Sequence, residues 1–141
     1  MFESYCKEKL GPLVLRVALG LACVYHGFLK IMAAGGTTWA PGVHVAWQVL
    51  LAWGEFAAGL AILLGFRCRL AALVVLVVTP LPWLWWQGWN VLQLPVRTLE
   101  PLLLIVLMGL ALLFLGAGEL SVDGRGGGGT KTAPVKPAKK K

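Results

Sequence analysis

PLVLRVALGLACVYHGFLKIMA, Pro12 to Ala33, is a run of 22 residues interrupted only by the basic side chains Arg16, His26 and Lys30. At ~1.5 Å per helical residue, a segment of this length crosses a hydrocarbon core of roughly 30 Å. The same reading applies to Ala46–Phe66, Leu70–Trp89 and Leu99–Leu115. Their apolar residues are continuous rather than alternating. That favours helices, which satisfy their backbone groups internally, over barrel strands. With 58% hydrophobic residues and a mean hydropathy of +0.77 in 141 residues, the composition exceeds what a soluble domain of this size needs. The expected fold is all-α, a bundle of four transmembrane helices. Residues 1–11 form a short N-terminal segment, 12–118 the membrane domain and 119–141 a flexible basic tail. The first span reads as a mature helix rather than a cleaved signal, because charges interrupt it and no small-x-small site follows.

Eleven of the thirteen Lys and Arg residues fall on one side of this arrangement: Lys7, Lys9, Arg16, Arg67, Arg69, Arg125, Lys131, Lys136 and Lys139–Lys141. Only Lys30 and Arg97 fall on the other, so the positive-inside rule puts both termini in the cytoplasm. After Asp123 the chain becomes RGGGGTKTAPVKPAKKK, too poor in apolar groups to offset the entropy of ordering. This extension either grips anionic headgroups weakly or is a solvated tail that helps fix topology. The net charge of +7 owes most to it and does not point to nucleic acid. Cys6, Cys23 and Cys68 show neither C-x-x-C nor metal-ligand spacing, so no disulfide and no metal site is expected.

At about 100° per residue, Arg16, Gly20, Cys23, Gly27 and Lys30 share one stripe of the first helix, with His26 at its edge. Small residues on such a stripe admit a neighbouring helix, so it should face the bundle interior. Arg16, near the cytoplasmic boundary, is expected to snorkel to headgroups. On the second helix Gln48, Ala52, Glu55, Gly59 and Ile62 share a face, with Glu55 near mid-span. A carboxylate there needs a compensating partner, and the depth of Glu55 matches that of His26. A pair between Glu55 and His26 or Lys30 is the simplest arrangement. Pro80 should kink the third helix. All seven tryptophans, including Trp39, Trp53 and Trp86, lie in the outer half. An aromatic belt normally occurs at both interfaces, and this asymmetry favours an aromatic-lined pocket opening outward. In VRTLEPLLL, Arg97 and Glu100 lie one turn apart, and Pro101 is expected in the tolerant first turn. They form either a local ion pair or part of one polar cluster with His26, Lys30 and Glu55.

LRVALGLACVYHGFLKI, WGEFAAGLAILLGFRCRLAAL and RTLEPLLLIVLMGLALLFLGAGELSVDG together resemble the three blocks of the DoxX family of small four-helix membrane proteins, over roughly Gly11 to Gly124. The resemblance rests on the order H-G-x-x-K, E-x-x-x-G with a following G-F-x-x-R, and G-x-G-x-x-S-x-D. The tryptophan-rich third helix and the basic tail lie outside the pattern. The family is similar to the membrane subunits of archaeal thiosulfate:quinone oxidoreductase, and some bacterial members are associated with membrane oxidoreductase complexes. The matching positions are His26, Lys30 and Glu55, with Arg67 and Asp123 on the cytoplasmic side.

A shared fold does not transfer a reaction, and the first expectation is a membrane subunit of an oxidoreductase system in a bacterial or archaeal cytoplasmic membrane. Its candidate ligand- and proton-binding residues are His26, Lys30, Glu55, Arg97, Glu100, Trp53 and Trp86, in a polar and aromatic pocket near the outer leaflet. The expected ligand is a quinone or similar lipophilic molecule, with no covalently bound cofactor. Partners are the lipid bilayer and other membrane or redox proteins, or further copies of the chain. Two other readings remain open: a non-catalytic adaptor whose charged cluster fixes helix register, and a small-solute transporter acting as an oligomer. No nucleophile, base and orienting acid lie together on an aqueous face, which disfavours a soluble hydrolase.

Overall fold

The computed structural model describes residues 10–33, 39–86, 96–118 and 120–122, and, among these, not the side chains of residues 83, 86 and 96–98. The described residues are helical, with no strand. The helices are α1 (Gly11–Met32), α2 (Val45–Leu64), α3 (Cys68–Val78), α4 (Pro80–Trp86) and α5 (Val96–Leu115). Pro12 opens α1, where its missing N–H costs nothing. At the start of α2, His44 Nδ1 accepts from the Ala46 N–H at 3.3 Å. The helix closes with Gly65 in the left-handed region (φ 74°), the Gly65 N–H donating to Ile62 O and the Phe66 N–H to Ala61 O. That pair of reverse bonds is the Schellman ending, which a residue with a Cβ would strain.

Long helices α1, α2, α3 and α5 close into a ring: α1 packs on α2, α2 on α3, α3 on α5, and α5 back on α1. The α1–α2 contact is the closest because glycines stand where the backbones cross. A Cβ on Gly27 would lie 2.7 Å from Phe56 N, and one on Gly59 would lie 2.7 Å from Val24 N. The small-residue stripes expected on both helices therefore form the seam. Leu19, Cys23, Ala58, Ile62, Ala71, Ala72, Val75, Ile105 and Leu112 fill the core.

Two of the expected spans, α1 and α2, are long and apolar enough to cross a bilayer; Cys68–Pro82 and Leu99–Leu115 are shorter apolar helices. The best 18-residue windows of α1 and α2 are only 33% and 39% buried inside the chain, unlike the core helix of a soluble protein. Their outward faces carry Val14, Leu21, Phe28, Leu50, Leu60 and Leu64, all exposed. The third apolar block breaks at Thr79, directly before Pro80, as its proline predicted. Pro101 departs from expectation. Because α5 begins at Val96, Pro101 lies inside the helix, beyond the first turn, and denies the Arg97 carbonyl its usual donor.

Candidate functional site

Lys30 lies in the last turn of α1 and Glu55 near the middle of the antiparallel α2, and the glycine seam brings them together. Lys30 Nζ donates to Glu55 Oε2 in an ion pair. Glu55 has no solvent exposure, whereas the Lys30 side chain is 13% exposed, so the pair reaches from the bundle interior towards its surface. The other carboxylate oxygen, Oε1, accepts from Thr79 Oγ1 at 3.4 Å. Thr79 is itself buried and stands at the proline interruption between α3 and α4. Three helical segments thus converge on one carboxylate. A buried carboxylate is tolerable only with such compensation.

Above the pair sits Trp39. Lys30 Nζ lies 4.8 Å from the centroid of its ring, a cation–π contact. Gln48 helps hold the approach to α2 in place: its Oε1 accepts from the Ala40 N–H at 3.2 Å and its Nε2 donates to Val43 O at 2.8 Å. Gln48, placed by its spacing on the same face as Glu55, therefore fixes the loop beside Trp39. Trp39 Nε1 is a buried donor without a hydrogen-bond partner among the described residues.

Of the candidate residues, Lys30 and Glu55 meet. His26 is half-buried one turn away, its ring edge-on to Tyr25 with centroids 5.8 Å apart. Among the described residues it makes no ion pair with Glu55. Trp53 is 55% exposed and stacks edge-on with Phe56, away from the pair. Glu100 is exposed on α5 and makes no ion pair among the described residues. The side chains of Arg97 and Trp86 lie outside the described residues. Trp39 and Thr79 were not among the candidates, although Thr79 directly precedes Pro80, where a helix loses a donor and a side chain can substitute. Among the described residues no group of three or more His, Cys, Asp or Glu could hold a metal ion; Cys23 and Cys68 are both buried, with Cys68 Sγ 3.9 Å from Ile62 O.

At the opposite end, Arg16 overturns its expected role. It is 4% exposed, does not reach out to headgroups, and donates to Ala117 O at 3.1 Å and Leu120 O at 2.8 Å. Its guanidinium also lies against Gly65. The cation therefore stands by the C-terminal ends of α2 and α5, where the helix dipoles favour positive charge. Gly116 and Gly118 adopt positive φ (78° and 73°), and Ser121 Oγ donates to Gly118 O at 2.6 Å. The G-x-G-x-x-S motif is thus the fold of a clasp that Arg16 holds to the bundle.

The family model DoxX matches residues 11–88, more than half of the chain, covering α1 to α4 with Lys30, Glu55 and Thr79. No curated protein and no solved structure matches the chain. With two helices long and apolar enough to span a bilayer and their outward faces uncovered, the match fits a membrane protein, and the chain belongs to the DoxX family.

Proposed function

We propose that the protein is a four-span bundle of a bacterial or archaeal cytoplasmic membrane in which the Lys30–Glu55 pair, under Trp39, binds the headgroup of a quinone-like lipophilic molecule. The shorter third and fourth spans, α3 with α4 and α5, complete the crossing alongside α1 and α2. By the positive-inside rule, the surplus of basic residues in the sequence supports a cytoplasmic position for the Arg16 end. The ligand site then lies towards the outer leaflet.

One observation carries this reading: a fully buried carboxylate whose ammonium partner extends towards the surface beside an indole N–H with no acceptor among the described residues. A quinone oxygen accepts hydrogen bonds, and Lys30 and Trp39 both offer donors. Glu55 holds the ammonium in place and is the group positioned to exchange a proton with it. Nothing in the sequence has the spacing of a haem, flavin or iron–sulfur site, so electrons would pass to or from a partner protein. The role is that of a membrane subunit of an oxidoreductase system. The adaptor reading has its own support, because the ion pair satisfies itself without any ligand.

Thermal unfolding of the full chain in detergent, with and without decylubiquinone or menadione, separates the two. The wild type should gain several degrees in Tm with quinone. Lys30→Met should lose that gain, and so should the exchanged pair Lys30→Glu with Glu55→Lys, even where the exchange restores the basal Tm. A wild type with no quinone-dependent gain, and an exchanged pair as stable as wild type, would support the adaptor.

A further inference from the structure

We propose that the Lys30–Glu55 pair is a one-ended site: protons and small solutes reach it only past Lys30, and the stretch from Glu55 to the Arg16 clasp is a seal. The proposal rests on the four-span reading and holds whichever molecule the pair receives.

Between these two levels the helices offer almost nothing to a proton. Residues 56–64 of α2, 70–78 of α3 and 102–115 of α5 contain no side-chain nitrogen or oxygen, and residues 17–24 of α1 add only the Cys23 thiol. Glu55 stands ten residues before Gly65, which the Arg16 guanidinium touches. The apolar stretch is therefore about 15 Å long, half of a hydrocarbon core of roughly 30 Å. A relay across it would need a file of buried waters, each held by about three hydrogen bonds to polar groups. Packing leaves no room for them. Leu19, Cys23, Ile62, Ala72, Val75 and Leu112 have no exposure. A Cβ on Gly20 would lie 2.6 Å from Leu63 Cγ, and one on Gly109 would lie 3.1 Å from Leu76 Cδ2, so the α1–α2 and α3–α5 seams are closed by direct contact at these points.

The two ends of the stretch differ. Arg16 is buried and committed to Ala117 O and Leu120 O, and its fixed positive charge opposes the entry of a cation or proton there. At the other end polar groups continue outward from the carboxylate: Lys30 Nζ, on a side chain that is partly exposed, and the indole of Trp39 over it. A proton on Glu55 therefore exchanges through Lys30 with the compartment on that side alone. A single bundle so arranged can bind or process a molecule at one face of the membrane. It offers no path for carrying a solute through to the other.

Thiol labelling in right-side-out and inverted membrane vesicles holding the full chain tests this, with a membrane-impermeant methanethiosulfonate and mass spectrometry to resolve each thiol. Trp47→Cys at the Lys30 end and Arg69→Cys at the Arg16 end define the two sides. Thr79→Cys, beside Glu55, should react about tenfold or more faster from the Trp47 side than from the Arg69 side. Native Cys23 and Ile62→Cys, both without exposure, should stay unmodified from the Arg69 side. Reconstituted wild-type vesicles should leak protons no more than about twofold faster than vesicles of lipid alone. The leak and the state of Cys23 need no substitution, so they report even if Thr79→Cys fails to fold. Reaction of Thr79→Cys from the Arg69 side, from both sides or from neither would overturn the proposal. So would modification of Cys23 from the Arg69 side, or a wild-type leak more than about twofold above lipid alone. Trp47→Cys and Arg69→Cys reacting from the same side would overturn it by refuting the four-span reading on which it rests.

Discussion

Glu55 is fully buried, and among the described residues its carboxyl group is met by one ammonium and one hydroxyl. Removing one partner of a buried pair strands the other and costs about 3–5 kcal/mol. Lys30→Met should therefore destabilise the protein by that order, whereas Thr79→Val should cost about 1 kcal/mol; detergent unfolding curves for the two variants check the ranking. Arg16→Ala should cost about 3 kcal/mol, since it removes two charge-assisted bonds. Arg16→Lys should recover only part of this, because an ammonium lacks the fork that reaches Ala117 and Leu120 together. Equal stability of Arg16→Ala and wild type would show that the clasp holds without the guanidinium. The pairing of Glu55 was legible only in part: helical spacing put it on an interior face, but its depth matched His26 and left His26 and Lys30 as alternative partners, of which the structure brings Lys30. The role of Arg16 was not legible, because its partners are carbonyls 101 and 104 residues away and carry no side-chain signature. The contact of Trp39 with Lys30 was likewise illegible: loop geometry, set by Gln48, decides which tryptophan meets the lysine.

The α1–α2 crossing depends on glycines that admit no side chain. A Cβ at position 59 would meet Val24 N at 2.7 Å and Cys23 Cβ at 2.9 Å, so backbone must move. Gly59→Val should separate the helices, displace Lys30 from Glu55 and lower Tm by more than ten degrees, an effect of about 2–4 kcal/mol. Gly54→Ala is the control, because its Cβ would meet nothing closer than 4.0 Å. The seam was readable from the small residues on one stripe, and the break in the third block from Pro80. The start of α5 was not readable, since Val96 to Thr98 are polar and β-branched enough to pass for loop, and the helix forms there regardless.

The four-helix ring places one polar cluster at each end and an apolar middle between them, with its outer faces uncovered. If the chain spans the membrane four times, cysteines introduced at Trp47 and at Arg69 should label with impermeant thiol reagents from opposite sides, Trp47→Cys from outside and Arg69→Cys only after permeabilisation. The helical class was legible from the apolar blocks. The ring order was not, because it depends on packing of α5 against both α1 and α3, and all four outward faces look alike in sequence. The central claim is that the Lys30–Glu55 pair serves a ligand and does not merely lock helices. It is tested most directly by mass spectrometry of small molecules that co-purify with the full chain from its own membrane, compared with the Glu55→Gln variant. A quinone present at near-stoichiometric amounts in the wild type and lost from a folded Glu55→Gln protein is the predicted result. A wild type that carries no lipophilic ligand, while the variant folds and retains the same companion proteins, would contradict it.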